Sequence, residues 1–117
     1  MERKYTTMTK FVNLTPHTIT IISKVGNIVV TPSGIIARCK VTEETVAEIN
    51  GVEIVKTAYG EVEGLPEKED NTICIVSGFV MNALKGSGRY DVMKPHDFVR
   101  DEAGNIIGCR KLATIED

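Results

Sequence analysis

Tryptophan is absent from this 117-residue chain, and the aromatic residues are three tyrosines and three phenylalanines. So few rings argue against a single-strand nucleic-acid binder built on stacked bases. Cysteine is sparse as well. Cys39, Cys74 and Cys109 are odd in number, far apart, and form no CxxC pair. That pattern argues against a disulfide framework or a zinc knuckle, and free thiols in a reducing cytosol are expected. The two histidines, His17 and His96, each follow a proline. No ligand spacing joins them to a cysteine or acid, so neither a metal nor a cofactor is expected. No apolar run reaches the length of a membrane span, and no apolar stretch follows Met1-Glu2-Arg3-Lys4 to suggest a secretory signal. The expected compartment is therefore the cytoplasm. A P-loop, a Rossmann glycine fingerprint and an EF-hand loop are all missing. The nucleophile-elbow pattern G-x-S-x-G is missing too, because Cys74-Ile75-Val76-Ser77-Gly78 lacks its first glycine.

A formal net charge of −2 hides an asymmetry. Residues 1–40 carry six Lys/Arg and one acid, a net of +5. Residues 41–70 carry two Lys/Arg and nine acids, a net of −7. The remaining residues, 71–117, carry six of each. The overall balance argues against a generic DNA binder, while a local basic patch near the start stays open.

Strand chemistry dominates the pattern. Residues 8–14 read as a first strand, broken by Thr15-Pro16-His17, because proline cannot donate to a ladder. Thr18 to Ser23 and Ile28 to Val30 follow as β-branched runs around a turn at residues 24–27. Ile35, Ala37, Cys39 and Val41 then alternate with Ile36, Arg38, Lys40 and Thr42, and the same odd parity continues through Thr45, Ala47 and Ile49 after a charged interruption at Glu43. Asn50-Gly51 signals a type I′ hairpin, which pairs Ile49 with Val52, Glu48 with Glu53, Ala47 with Ile54 and Val46 with Val55. The return strand ends at Tyr59, and residues 60–66 leave the sheet. Thr72 to Val76 is a continuous apolar run, as in a strand buried on both faces. A short helix over residues 77–85 follows, with Phe79, Val80, Ala83 and Leu84 as its buried stripe. Arg89 to Phe98 reads as an irregular connection around Pro95. The expected fold class is α+β: mainly antiparallel sheet with hairpins and one short helix. A single globular domain over residues 8–113 is expected, with 1–7 and 114–117 as flexible termini.

The segment from Val99 to Arg110 reads as a β-hairpin with an arginine on each arm. Gly104 suits a three-residue loop, a type I turn followed by a left-handed glycine. In that register Arg100 faces Ile106, and residues 100, 106, 108 and 110 share one face. Two guanidinium forks would then flank Gly108, which offers no side chain to block a phosphate-bearing ligand. A different loop length would send Arg110 to the other face. An ordinary solvated hairpin is the alternative. Ser77, at a strand-to-helix junction, is a natural N-cap, and the same helix start could receive an anion. His17 belongs to a structural turn or a ligand contact. Gly86-Ser87-Gly88 would let Arg89 approach a ligand closely.

Several of these pieces occur in one order: Asn13-Leu14-Thr15-Pro16-His17, Pro32-Ser33-Gly34 with Ala37-Arg38, Tyr59 through Pro66, Ile75-Val76-Ser77, Gly88-Arg89 with Asp91, and Val99-Arg100-Asp101 through Gly108. The set resembles the first Thoeris anti-defence family, small phage and prophage proteins that act as sponges for a host immune signal. Lys94-Pro95-His96-Asp97-Phe98 departs from that pattern. The resemblance implies a non-enzymatic protein that holds glycocyclic ADP-ribose without cleaving it. It also implies cyclic oligonucleotide binding at a separate site in some members, homo-oligomers from dimers upward, and action in the host cytoplasm during infection. Charge balance and the lack of a long apolar run give the expectation of no DNA and no membrane partner.

Residue type then nominates the contacts. Arg89, Arg100 and Arg110 would take phosphates, Ser77 and Asn82 polar groups, and Tyr90 or Phe98 a stacked base. Arg38 and Lys40 would form a second anion site. On this reading Arg100→Ala should weaken binding by about 1.5–3 kcal/mol. Two other readings stay open: a small phage hydrolase or phosphodiesterase using His17 or His96 with an acid, and a structural or interaction module with no small ligand.

Overall fold

In the computed structural model, which describes residues 9–115, β-branched runs and turn signals resolve into eight strands and one helix. The protein is a β-rich α+β fold. Six strands form one mixed sheet in the order β1 (Lys10–Asn13), β6 (Thr72–Ile75), β7 (Val92–Arg100), β8 (Ile106–Thr114), β2 (Ile19–Ser23) and β3 (Gly26–Val30). The β7–β8 and β2–β3 neighbours are antiparallel hairpins, whereas β1–β6, β6–β7 and β2–β8 run parallel. A second, two-stranded sheet is the long hairpin of β4 (Arg38–Ile49) and β5 (Val52–Glu63).

The core follows from the pleat. In β6 and the residue after it, Cys74 and Val76 enter one apolar cluster, and Ile75 enters another on the opposite face. The first cluster joins Leu14, Ala37 and Val92 to the helix α1 (Gly78–Ala83) through Val80, Met81 and Leu84. The second joins Ile75 to Ile21, Val30 and Cys109. A strand with helix and loop on one side and a second cluster on the other must be apolar at every position, which is why Thr72–Val76 shows no alternation.

Several expected elements change in the folded chain. The first strand covers residues 10–13 rather than 8–14, and residue 8 lies outside the described residues. The helix is six residues long, and its buried residues are Val80 and Met81, with Leu84 buried at its C-cap; Phe79 is 61% exposed. One and a half turns are too short to express a full stripe. The Arg89–Phe98 region is largely strand, because β7 begins at Val92. Pro95 fits there because the last β6 pairing is Ile75 with Met93, so Pro95 lies past that ladder in an edge-like position.

The β4–β5 arm keeps its expected tip. Asn50 and Gly51 have φ of 52° and 81°, as a type I′ turn requires, and Ile49–Val52, Glu48–Glu53 and Ala47–Ile54 are paired. Beyond that the ladder slips: Val55 pairs with Thr45, so Val46 is the extra residue of a bulge. The return strand also runs on to Glu63 instead of ending at Tyr59. At the arm's root Gly64 has φ of 81°, and a side chain there would collide with the Ile36 carbonyl oxygen. Away from the root the arm is exposed on both faces.

Candidate functional site

Two parallel strands, β1 and β6, end at the same edge of the main sheet, while β7 runs on past them. After β1 comes Thr15-Pro16-His17, after β6 comes Val76-Ser77-Gly78, and β7 carries Lys94 and Pro95 alongside them. The backbone records this alignment: Leu14 N–H donates to the Ile75 oxygen at 2.9 Å, and Val76 N–H donates to the Met93 oxygen at 2.9 Å. In parallel sheets, ligands characteristically bind in the crevice outside the carboxyl ends of the strands. A groove of about 870 Å³ lies here. That is within the range of roughly 300–1,000 Å³ found for small-molecule sites.

The groove is lined by Thr15 to Thr20, Val76 to Gly78, Lys94, Pro95, Phe98 and Ile106 to Cys109. Phe98, Ile106 and Ile107 are 48%, 52% and 53% exposed, so an apolar wall faces the opening. Lys94 and His17 are the ionisable groups of the lining apart from the Cys109 thiol, and no Asp or Glu lines it among the described residues. Burial pushes the Cys109 thiol up, beyond what its backbone hydrogen bonds offset, so it remains protonated at neutral pH.

Asn13 shapes the Thr15-Pro16-His17 part of the lining. Its side chain is buried and uses both ends. Nδ2 donates to the His17 oxygen at 2.7 Å and to the Val30 oxygen at 3.0 Å. Oδ1 accepts from Thr15 N–H at 2.9 Å and from the Thr15 hydroxyl at 2.7 Å. An amide with every donor and acceptor capacity filled holds a loop in one conformation. This was the signal in Asn13-Leu14-Thr15-Pro16-His17 that residue type alone did not reveal.

Of the nominated residues, Ser77 and Phe98 line the groove. Ser77 is the N-cap of α1, and its Oγ accepts from Val80 N–H at 3.4 Å. The others lie elsewhere. Arg89 is committed to structure. Its Nε donates to Asp91 Oδ1 at 2.9 Å, and a terminal nitrogen donates to Asp91 Oδ2 at 3.0 Å and to the Pro66 oxygen at 2.9 Å. Burial pushes the Asp91 carboxyl up, but the hydrogen bonds and charge of Arg89 outweigh it and hold the pKa below the ordinary value. Asn82 Nδ2 reaches the Tyr59 hydroxyl on the arm at 3.5 Å. Tyr90 is partly exposed outside the groove. Arg38 is paired in register with Glu63, and Lys40 stands beside Gly60, both exposed on the arm's first strand.

The two hairpin arginines do not converge. The turn itself forms as expected: Gly104 has φ of 88°, its N–H donates to the Asp101 oxygen at 3.0 Å, and Arg100 pairs with Ile106. One residue later the ladder slips, with Val99 opposite Gly108, which leaves Ile107 as an extra residue. That bulge breaks the even-numbered face and brings Arg110 to Asp97, at 3.8 Å. Arg100 instead folds over its own turn, donating to the Gly104 oxygen at 2.8 Å. Gly108 is not kept small to admit a ligand beside two arginines. A Cβ there would sit 2.9 Å from the Thr20 oxygen, so the glycine lets β8 approach β2.

No protein family matches the chain, and no curated protein or solved structure matches it. No helix among the described residues is long and apolar enough to cross a membrane.

Proposed function

We propose that this protein binds and sequesters a nucleotide-type immune signal, of the glycocyclic ADP-ribose class, without cleaving it, and so blocks a host antiphage defence in the host cytoplasm. The observation that carries the reading is the groove past the carboxyl ends of β1 and β6. It has the size of a small-molecule site, an apolar wall, and a lining that holds Lys94 and no carboxylate among the described residues. Sequestration needs a preorganised pocket with slow release rather than aligned acid and base groups, and the Asn13-braced loop supplies such rigidity.

Self-association is part of the same proposal. The tip of the β4–β5 arm exposes Ile49 and Val52 at 58% and 59%, and Ile54 at 38%. Apolar residues gathered on a two-stranded arm support an interface with another copy. Cyclic oligonucleotide binding at a second site, near Arg38 and Lys40, completes the reading.

The test is incubation with cyclic ADP-ribose isomers and cyclic oligonucleotides, followed by a thermal-shift measurement, denaturation and recovery of the ligand. A raised melting temperature with intact ligand is the expected result. Degraded ligand would make the protein a hydrolase. An unshifted melting temperature across the whole panel would favour a module that takes no small ligand, since saturation at 100 times Kd should add about 2.7 kcal/mol.

A further inference from the structure

We infer that the groove reads its ligand in two parts, an aromatic ring laid against Phe98 and an anionic group held at Lys94, so that its ligand class is a nucleoside carrying phosphates. The inference takes the groove to be the ligand site, as the proposed function does, but assigns the recognition to residues that lie in the stretch departing from the resemblance.

Phe98 is half exposed at the groove wall, flanked by the exposed Ile106 and Ile107. A ring left in water beside two aliphatic neighbours gains by covering its face with another flat, polarisable ring. Lys94 is partly buried in the same lining, and neither ion pair found among the described residues includes it. A half-buried ammonium in a groove without carboxylates is electrostatically suited to an anion. The two residues are four positions apart on β7, at most about 13 Å along an extended strand. Asp97, with φ of 57°, lies between them. A base, its sugar and a diphosphate can bridge that span; an isolated base or a free pyrophosphate cannot. Arg100 and Arg110 are engaged elsewhere, which leaves Lys94 as the cation of the groove lining.

The experiment measures binding of three probes to the full chain by calorimetry: adenosine, inorganic pyrophosphate and ADP. ADP is expected to bind at least about tenfold more tightly than either fragment, since one stacked base alone is worth roughly that much. Raising the salt concentration should weaken ADP and spare adenosine, a readout that needs no variant. Phe98→Ala should abolish the advantage of ADP over pyrophosphate. Lys94→Gln should abolish its advantage over adenosine, and Lys94→Arg should restore it. Equal affinity for ADP and adenosine, no binding of any probe, or salt-insensitive ADP binding would overturn the inference.

The two levels fail separately. If cyclic ADP-ribose isomers bind intact and neither Phe98→Ala nor Lys94→Gln changes their affinity, sequestration stands and the two-part groove falls. If ADP behaves as expected while the cyclic ligands are ignored or degraded, the groove assignment stands and sequestration falls.

Discussion

The side-chain nitrogen of Asn13 donates to the backbone oxygen of His17 at 2.7 Å, so a residue buried in the first strand sets the path of the loop that lines the groove. Asn13→Ala leaves the His17 and Val30 oxygens and the Thr15 N–H without their partner. The expected cost is about 2–4 kcal/mol, from more than one buried polar group left unpaired. Urea denaturation measures it. Asn13→Asp keeps the acceptor for Thr15 but sets a buried carboxylate oxygen against the His17 and Val30 oxygens, so near neutral pH it should destabilise the protein at least as much as Asn13→Ala.

Arg89 and Asp91 give a pH-dependent prediction. The Asp91 pKa is lowered in the folded protein, so its ionised form is favoured by folding. That contribution is present in full above the unfolded value of about 3.9 and is lost as the pH falls through the lower folded value. Asp91→Asn should therefore destabilise the protein near neutral pH and flatten the acid limb of its stability curve. Arg89→Ala strands a carboxylate that is 5% exposed, and the expected cost is about 2–4 kcal/mol, somewhat below a fully buried pair because Arg89 is 22% exposed. Unfolding at several pH values tests both variants.

Arg100→Ala now carries a different expectation from the one residue type suggested. The guanidinium donates to the Gly104 oxygen outside the groove, so ligand affinity should stay within about threefold, or under 1 kcal/mol. Arg110→Ala should behave likewise, because Arg110 faces Asp97. A large loss in either variant, measured by calorimetry with the ligand found in the screen, would return the hairpin to the site.

Gly108→Ala tests why the sheet needs a glycine in β8. The new methyl group would press on the Thr20 oxygen at 2.9 Å and on Ile22 at 3.2 Å, and both are part of β2. Overpacking of this kind costs about 1–3 kcal/mol. A melting temperature equal to that of the parent would show that β2 and β8 can separate freely.

Ile49→Glu combined with Val52→Glu should reduce self-association without unfolding the chain. The pair sits at the exposed tip, opposite each other in the ladder and far from the core clusters. Sedimentation velocity against concentration is the measurement. A parent protein that is monomeric throughout would remove the arm as an interface.

Local chemistry alone determined the turns, the helix cap and the buried strand. Asn50-Gly51 forms its hairpin, Gly104 its three-residue loop and Ser77 its cap, because each depends on φ preference or on a hydrogen bond within a few residues. Cys74, Ile75 and Val76 are buried because no face of that segment is polar. The bulges at Val46 and Ile107 were not legible, because a one-residue slip depends on how both strands meet the rest of the sheet. The β7 strand was hidden by Pro95, which tertiary structure tolerates only because β6 ends first.

The same division applies to the site. Sequence supplied Ser77 and Phe98 as candidates by residue type, and both line the groove. It could not show that Arg89 is spent on Asp91 and Pro66, or that Thr15, His17 and Lys94 share one opening. Thr15 and His17 are distant from Lys94 along the chain. They meet only because β1, β6 and β7 lie side by side and parallel, an arrangement of the whole sheet that no local window contains.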